Sequence, residues 1–292
     1  MSTRNIFINL QKKQMNENLE LIACLYCNSK EYRTWAIHNG FNAVQCSNCG
    51  FVYVNPRPKL EAIDQAVLTG THSEDANNLN VITRPIKAKV SIYSKIFKSF
   101  YAETFKDQKP IAWLDVGAGF GEILQAVNLV APKDSIVKGI EPMEPKALHA
   151  QKNGLNVQFG YLDAVEGKYD VVSIIDVFSH IPDFRDFLKD IKAKLNPKGE
   201  IFIETGNAAD IDRKFIPGDL SLPDHLTFAG EKHVTGFLKE QGFEIIKIER
   251  VRTDHLLGFI KDIVKKIIGR PVNIVLPYTS GYRSLLIRAK LK

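Results

Sequence analysis

This 292-residue chain has little cysteine, methionine or tryptophan: four, three and two residues. It also lacks a long apolar run. The longest, around Val171–Ile175 and Leu256–Ile260, fall far short of the roughly 18–20 residues that span a bilayer, so no transmembrane segment is expected. The first 20 residues have neither an apolar core nor a small-residue cleavage site, so no signal peptide is expected. Charge of one sign is scarce as well. Lys+Arg 39 against Asp+Glu 33 leaves +6, dispersed along the chain. That balance suits an anionic small molecule better than a nucleic acid, which calls for clustered cations. The composition, 45% hydrophobic and 25% charged, excludes wholesale disorder, and the length suggests about two domains.

The scarce cysteines are concentrated. Cys24, Cys27, Cys46 and Cys49 lie in one short window, and no cysteine follows. A secreted disulfide scaffold would spread its cysteines through the fold. This pattern indicates a metal site in a reducing compartment, and a cytoplasmic protein is expected. Two C-x2-C pairs separated by eighteen residues place four thiolates for a tetrahedral ion, and Gly50 suits the second knuckle's turn. Four protein ligands leave no open position, so the expected Zn²⁺ is structural. Buried thiols, disulfides and an iron–sulfur centre are the alternatives.

Residues Met1–Glu20 are polar, with the look of a loosely held arm. Short strands are expected at Tyr32–Ile37, Phe41–Gln45 and Phe51–Val54, and Asn55-Pro56-Arg57-Pro58 breaks the chain. Lys59–Leu68 and Ile86–Phe105 have helical spacing, and the polar stretch Thr69–Asn80 between them is expected to be a mobile loop. From Pro110 strands and helices alternate, as in a parallel α/β sheet. Strands are expected at 111–116, 135–141, 156–159, 169–175, 200–205, 244–251 and 284–289. The expected division is an arm and four-cysteine zinc module over 1–58, a helical linker or cap over 59–109, and an α/β domain over 110–292.

Within the third region an apolar strand, Trp113–Val116, runs into Gly117-Ala118-Gly119-Phe120-Gly121 and then a helix. Glycines there let the backbone turn sharply and approach a ligand at the helix N-terminus. The next strand ends in Glu141, where a carboxylate can accept both hydroxyls of a ribose. LDVGAGFGEIL, Glu141, YDVVSIIDVFSHIPD and LNPKGEIFIETGN, in this order, resemble the motifs of class I S-adenosylmethionine (SAM)-dependent methyltransferases over about residues 110–290.

The resemblance implies a Rossmann-like sheet, mostly parallel with an antiparallel last strand, behind a zinc-ribbon-like module. It implies SAM as cofactor. Gly117, Ala118, Gly119 and Gly121 would cradle its methionine part and Asp115 would orient that loop or the amino group. Glu141, with Pro142, would hold the ribose, and Leu162 within Tyr161-Leu162-Asp163 would line the adenine. Asp176 and Val177 would face the transferred methyl group.

The four-cysteine unit followed by GFVYVNPRP resembles the front module of bacterial methyltransferases that act on sugars and other small metabolites, which implies a sugar, nucleotide-sugar or glycan-precursor acceptor. Pro223-Asp-His-Leu-Thr-Phe-Ala-Gly230 resembles the His-Leu-x-x-Phe-Ser segment of the same enzymes. Nucleotide-sugar C-methyltransferases have Glu-His where Asp224-His225 stands here, and they carry a further C-terminal domain. O-methyl transfer is therefore the expectation. A hydroxyl acceptor needs a base that titrates near neutrality, and the candidates are His225 and His180. His149 and His233 are expected to be structural. Glu204 stands at a strand end, facing either substrate or water.

Two rival classes fit less well. An RNA methyltransferase gripping RNA with its zinc unit would need more than Lys30 and Arg33 between Cys24 and Cys49, and Ile175–Ser179 is no Asn/Asp-Pro-Pro-aromatic motif. A non-catalytic SAM-fold protein would not need an intact glycine loop and Glu141. Arg57 is expected to hold the linker rather than an anionic substrate. The amphipathic stretch Leu256–Ile268 is expected to cover the sheet and keep Lys261, Lys265 and Lys266 solvated, with a membrane surface as the alternative. Oligomeric state is not legible.

Overall fold

A computed structural model describes residues 18–72, 79–80, 84–216, 220–252, 256–270 and 283–292. Most of the arm, and the centre of the loop expected at Thr69–Asn80, lie outside the described residues. Contacts divide the chain into two compact units: Met1–Ile82 with Gly218–Phe228, and Thr83–Pro217 with Ala229–Lys292.

In the first unit, β1 (Leu19–Glu20) pairs antiparallel with β5 (Arg57–Pro58). Arg57 Nε donates to Glu20 Oε1 at 2.8 Å across that pairing, so this cation ties the end of the arm to β5. Between these strands run β2 (Tyr32–His38), β3 (Phe41–Cys46) and β4 (Val52–Val54), an antiparallel sheet close to the expected strands. α1 (Leu60–Thr69) follows and stops at Gly70, which is in the left-handed region. β6 (Thr71–His72) then pairs with β7 (Leu79–Asn80).

The second unit begins with α2 (Lys87–Phe100) and α3 (Ala102–Lys106). Its sheet is built from β8 (Ala112–Val116), β9 (Ile136–Glu141), β10 (Val157–Phe159), β11 (Tyr169–Ile175) and β12 (Leu195–Gly206). Among these strands sit α4 (Glu122–Asn128), α5 (Glu144–Lys152) and α6 (Phe184–Ala193). The short strand β13 (Thr227–Phe228) belongs to the first unit, where it extends the sheet along β4. No local pattern foretold that return. The chain closes with α7 (Glu231–Glu240), β14 (Phe243–Val251), α8 (Leu256–Ile267) and β15 (Ser284–Leu291).

The seven-stranded order is β10-β9-β8-β11-β12-β15-β14. Pairings are parallel from β10 to β12, and β15 runs antiparallel to both of its neighbours. This is the mostly parallel sheet with a reversed last strand that the motif order implied. The order reverses between β8 and β11. At such a switch point the two chain crossovers leave on opposite faces and open a crevice at the strands' carboxyl ends.

α2 packs on this sheet through an aromatic cluster. Phe97 meets Trp113 at 4.9 Å and Phe202 at 5.2 Å between ring centroids, both edge-on, and all three are fully buried. Edge-to-face geometry places the positive ring edge on the neighbour's negative face. The strands β8 and β11 are apolar because both of their faces are covered. α8 departs from expectation: Ile260, Val264 and Ile267 are exposed rather than set against the sheet. The side chains of Leu256–Gly258 are outside the description.

The edge of α2 is fastened by one charged residue. Arg288 on β15 makes a two-pronged contact with Glu200, Nε to Oε2 at 2.7 Å and Nη2 to Oε1 at 3.0 Å. It also donates to Thr104 Oγ1 and the Phe100 carbonyl, and lies over the Tyr101 ring. Both partners are mostly buried. Removing one partner strands a buried charge, which costs about 3–5 kcal/mol. Arg288→Ala is therefore expected to destabilise the sheet unit by about 3 kcal/mol in urea unfolding followed by circular dichroism.

Candidate active site

The glycine loop hangs from β9. Gly117 N and Ala118 N both donate to the Ile140 carbonyl, at 2.9 and 3.0 Å. Its three glycines have positive φ, but their surroundings differ. A Cβ on Gly117 would lie 2.5 Å from Val177 Cγ2, and one on Gly121 would lie 2.3 Å from Leu155 Cδ1. Those two are glycine because packing leaves no room. A Cβ on Gly119 would meet nothing nearer than Glu122 Oε2 at 4.0 Å. Gly119 thus faces open space, where only backbone is presented and another molecule can approach closely. Gly139 of β9 is also filled tightly: a Cβ there would be 2.7 Å from that of Ala118.

Glu141 ends β9 and is buried. Its Oε2 accepts from Gly119 N at 2.7 Å and its Oε1 from Met143 N at 3.0 Å. The carboxylate clamps the loop's open glycine to the neighbouring strand end and keeps further lone pairs for hydroxyl donors. Pro142 is half-buried between these two contacts.

Asp115 sits behind the loop on β8. Trp113 Nε1 donates to Ser173 Oγ at 2.9 Å, and Ser173 Oγ donates to Asp115 Oδ1 at 2.5 Å. Burial pushes the Asp115 carboxyl up to about 7, against the hydroxyl's opposing effect. Asp176 and Val177 follow β11 directly. Asp176 has φ 58, an uncommon conformation for a residue with a side chain. That turn presses Val177 onto Gly117. Leu162 is buried at the start of a short turn, whereas Asp163 Oδ1 accepts from its neighbour Ala164 N at 3.0 Å.

The structure therefore brings together Asp115, the glycine loop, Glu141 and Asp176-Val177. The candidate bases fall in different units. His180 closes a 3-10 turn after β11 in the second, and His225 belongs to the first, its ring edge-on to Phe228. His233 is buried, with Nδ1 accepting from Gly230 N at 3.0 Å, and His149 packs edge-on against Phe120.

Two residues were missed in the sequence. Lys89 and Tyr93, one helical turn apart on α2, reach the carboxyl ends of β11 and β12. Lys89 Nζ contacts Asp176 Oδ2 at 2.9 Å, and Tyr93 donates to Glu204 Oε2. Burial acts to lower the Lys89 pKa, but the Asp176 carboxylate outweighs it and holds the ammonium above its ordinary value. Burial, with Glu204 adding to it, pushes the Tyr93 phenol up. A Lys-x3-Tyr pair heading the apolar stripe of Phe97 and Phe100 was the available signal.

The first unit holds the four cysteines. Cys24 Sγ and Cys49 Sγ are 3.5 Å apart, as are Cys27 Sγ and Cys46 Sγ, and all four sulfurs lie within 4.8 Å of one another. Bonded sulfurs would be about 2.05 Å apart, and the cysteines are free. A zinc ion with sulfurs at about 2.3 Å implies tetrahedron edges of about 3.8 Å, so the cluster fits that ion. The two knuckles repeat each other. Asn28 N and Gly50 N each donate to the carbonyl of the cysteine four residues before, at 2.8 and 2.9 Å. Asn28 and Gly50 both adopt positive φ.

Part of the chain is similar to known proteins. A family model described as a methyltransferase domain matches residues 91–248, just over half of the chain. The chain belongs to this methyltransferase-domain family. The ubiquinone biosynthesis O-methyltransferase of Colwellia psychrerythraea is 26% identical over 163 residues, covering 50% of this chain and 65% of the relative. The protein of the same description from Saccharophagus degradans is 33% identical over 104 residues, 32% of this chain and 43% of that one. The chain thus spans less than two thirds of the length of these curated relatives. Among solved structures, magnesium protoporphyrin IX methyltransferase from Synechocystis PCC 6803 with bound SAM is 14% identical. The match covers 72% of this chain and 86% of that one, with TM-score 0.45.

Glu204 provides a test of the site's electrostatics. It faces Tyr93, Asp176 and Lys89, and burial pushes its carboxyl up to about 7 from 4.5. The folded state therefore binds a proton that the unfolded chain releases between those values, as it also does at Asp115. Stability then falls as pH rises through that window. Glu204→Gln removes one of the two contributions. The decline in melting temperature from pH 5 to about 7.5 is expected to become shallower in this variant, and an unchanged slope would contradict the assignment.

Proposed function

We propose that this member of the methyltransferase-domain family moves a methyl group from SAM to a hydroxyl of a small acceptor. The observation that carries the reading is Gly119: the one loop glycine facing open space, clamped by Glu141 at the sheet's switch point. In this reading Gly117, Ala118, Gly119 and Gly121 present backbone to the methionine part. Glu141 and Pro142 take the ribose, and Leu162 supplies an apolar wall for the adenine. Asp115 supports the loop from behind, and Asp176 and Val177 border the methyl group.

The sulfonium carries an activated methyl group, so the protein's task is alignment and removal of one proton. The acceptor oxygen bonds to the methyl carbon and the carbon–sulfur bond breaks. S-adenosylhomocysteine leaves, and the acceptor proton passes to a base. His180 and His225 are the candidates for that base. The relatives' names favour oxygen as acceptor atom. They name ubiquinone biosynthesis and no carbohydrate, so the sugar acceptor expected above finds no support among them, and the RNA alternative is not favoured.

Titration calorimetry with SAM is the direct test. Wild type is expected to bind, and Gly119→Arg, checked for native circular dichroism, to lose binding by more than about a hundredfold, since a long side chain fills the open approach. Absence of SAM binding by wild type would sink the proposal. Release of S-adenosylhomocysteine against a panel of phenols, sugars and nucleotide sugars would then identify the acceptor. Loss of the base in His180→Ala or His225→Ala should cost about 10²-fold or more in kcat, and a variant with full turnover is thereby removed from that role.

We also infer that the four cysteines bind one structural Zn²⁺, a reading supported by their sulfur spacing and the paired knuckles. Elemental analysis should find one zinc per chain, lost in Cys46→Ser. Strong chelation should melt the first unit while the sheet unit keeps its unfolding transition.

A further inference from the structure

The sequence pattern of α8 calls for an apolar face packed on protein. The structure turns part of that face outward. Val264 is 51% exposed and Ile267 78%, with Ile260 one turn earlier at 47% and Ile268 just past the helix at 62%. Ile260, Val264 and Ile267 follow the i, i+4, i+7 spacing that lines one side of a helix. Phe259 and Ile263, along one edge of this stripe, are half-buried.

Cations border this stripe. Leu256–Arg270 contains Lys261, Lys265, Lys266 and Arg270 against one acid, Asp262, a net +3. Asp262 is engaged by Lys265 at 2.8 Å. Lys261, Lys266 and Arg270 have no acidic partner among the described residues. Apolar side chains flanked by uncompensated cations match a surface that is negative above and apolar below. A second copy of the chain matches poorly, because two-fold pairing through this face would set like charges against each other.

We propose that α8 docks this protein on anionic lipid bilayers, lying in the plane of the interface with Ile260, Val264 and Ile267 among the acyl chains. The cations meet the lipid phosphates. The inference is independent of the methyl-transfer reading and of the acceptor's identity.

Co-sedimentation with vesicles tests it. The full chain should pellet with phosphatidylcholine–phosphatidylglycerol vesicles, bind pure phosphatidylcholine far less, and be released by high salt. Val264→Glu with Ile267→Glu, and separately Lys261→Glu with Lys266→Glu, should each weaken binding at least about tenfold. Circular dichroism and thermal unfolding should be unchanged, since these side chains are exposed. Two different double variants keep the test decisive if one fails to fold. Wild-type protein left in the supernatant with anionic vesicles would overturn the proposal, as would variants that bind like wild type. So would a dimer in light scattering that Val264→Glu with Ile267→Glu dissociates while vesicles capture nothing, since the occupant would then be a second copy.

Discussion

The site of this protein depends on two backbone donors sharing one carbonyl. Gly117 N and Ala118 N both point at Ile140 O, which ties the loop after β8 to the end of β9. That tie is possible only if β9 approaches closely, and Gly139 allows it by leaving room for Ala118 and Leu124. Glu141, two residues on, then reaches Gly119 N. Strand spacing, loop path and carboxylate position are thus one geometric constraint. A side chain at Gly117 or Gly121 would push the loop off Val177 or Leu155 and move every other member of the site.

A second layer lies behind and beside that loop. The chain of donors from Trp113 through Ser173 to Asp115 satisfies a carboxyl group that has no access to water. At the neighbouring strand ends Tyr93 donates to the mostly buried Glu204, and Lys89 pairs with Asp176, which is exposed to water. Two carboxyl groups that titrate near neutrality make the crevice sensitive to pH in the physiological range. The cysteine unit is built differently. Two short turns, each closed by a left-handed residue, present four sulfurs at the spacing of a metal tetrahedron, and its sheet is only two to seven residues long per strand. So small a core would gain much from the ion proposed above.

Much of this was legible because it is local. The 3.6- and 2-residue periods located the strands of the main sheet within a few residues at either end, since one or two covered faces impose them directly. The spacing of Cys24, Cys27, Cys46 and Cys49 foretold their convergence, because a C-x2-C turn has few conformations. Gly117, Gly119 and Gly121 stood out together, although only packing shows that two are filled and one is open. The boundary of the helical region was not legible. α2 joins the sheet unit, while α1 stays with the cysteines, because contact rather than sequence distance decides.

By itself the sequence determined the alternation of elements, the cysteine knuckles, the glycine loop and the carboxylate at the end of the second strand of the sheet. All of these follow from interactions within a few residues or from one repeated burial pattern. Only the tertiary structure decided that Lys89 would meet Asp176, 87 residues away, and Tyr93 would meet Glu204, 111 residues away. Only it decided that Thr227–Phe228 would return to extend the first unit's sheet, and that α8 would turn isoleucines outward. Those outcomes depend on which surfaces remain uncovered once the sheet has assembled, and no local period encodes that.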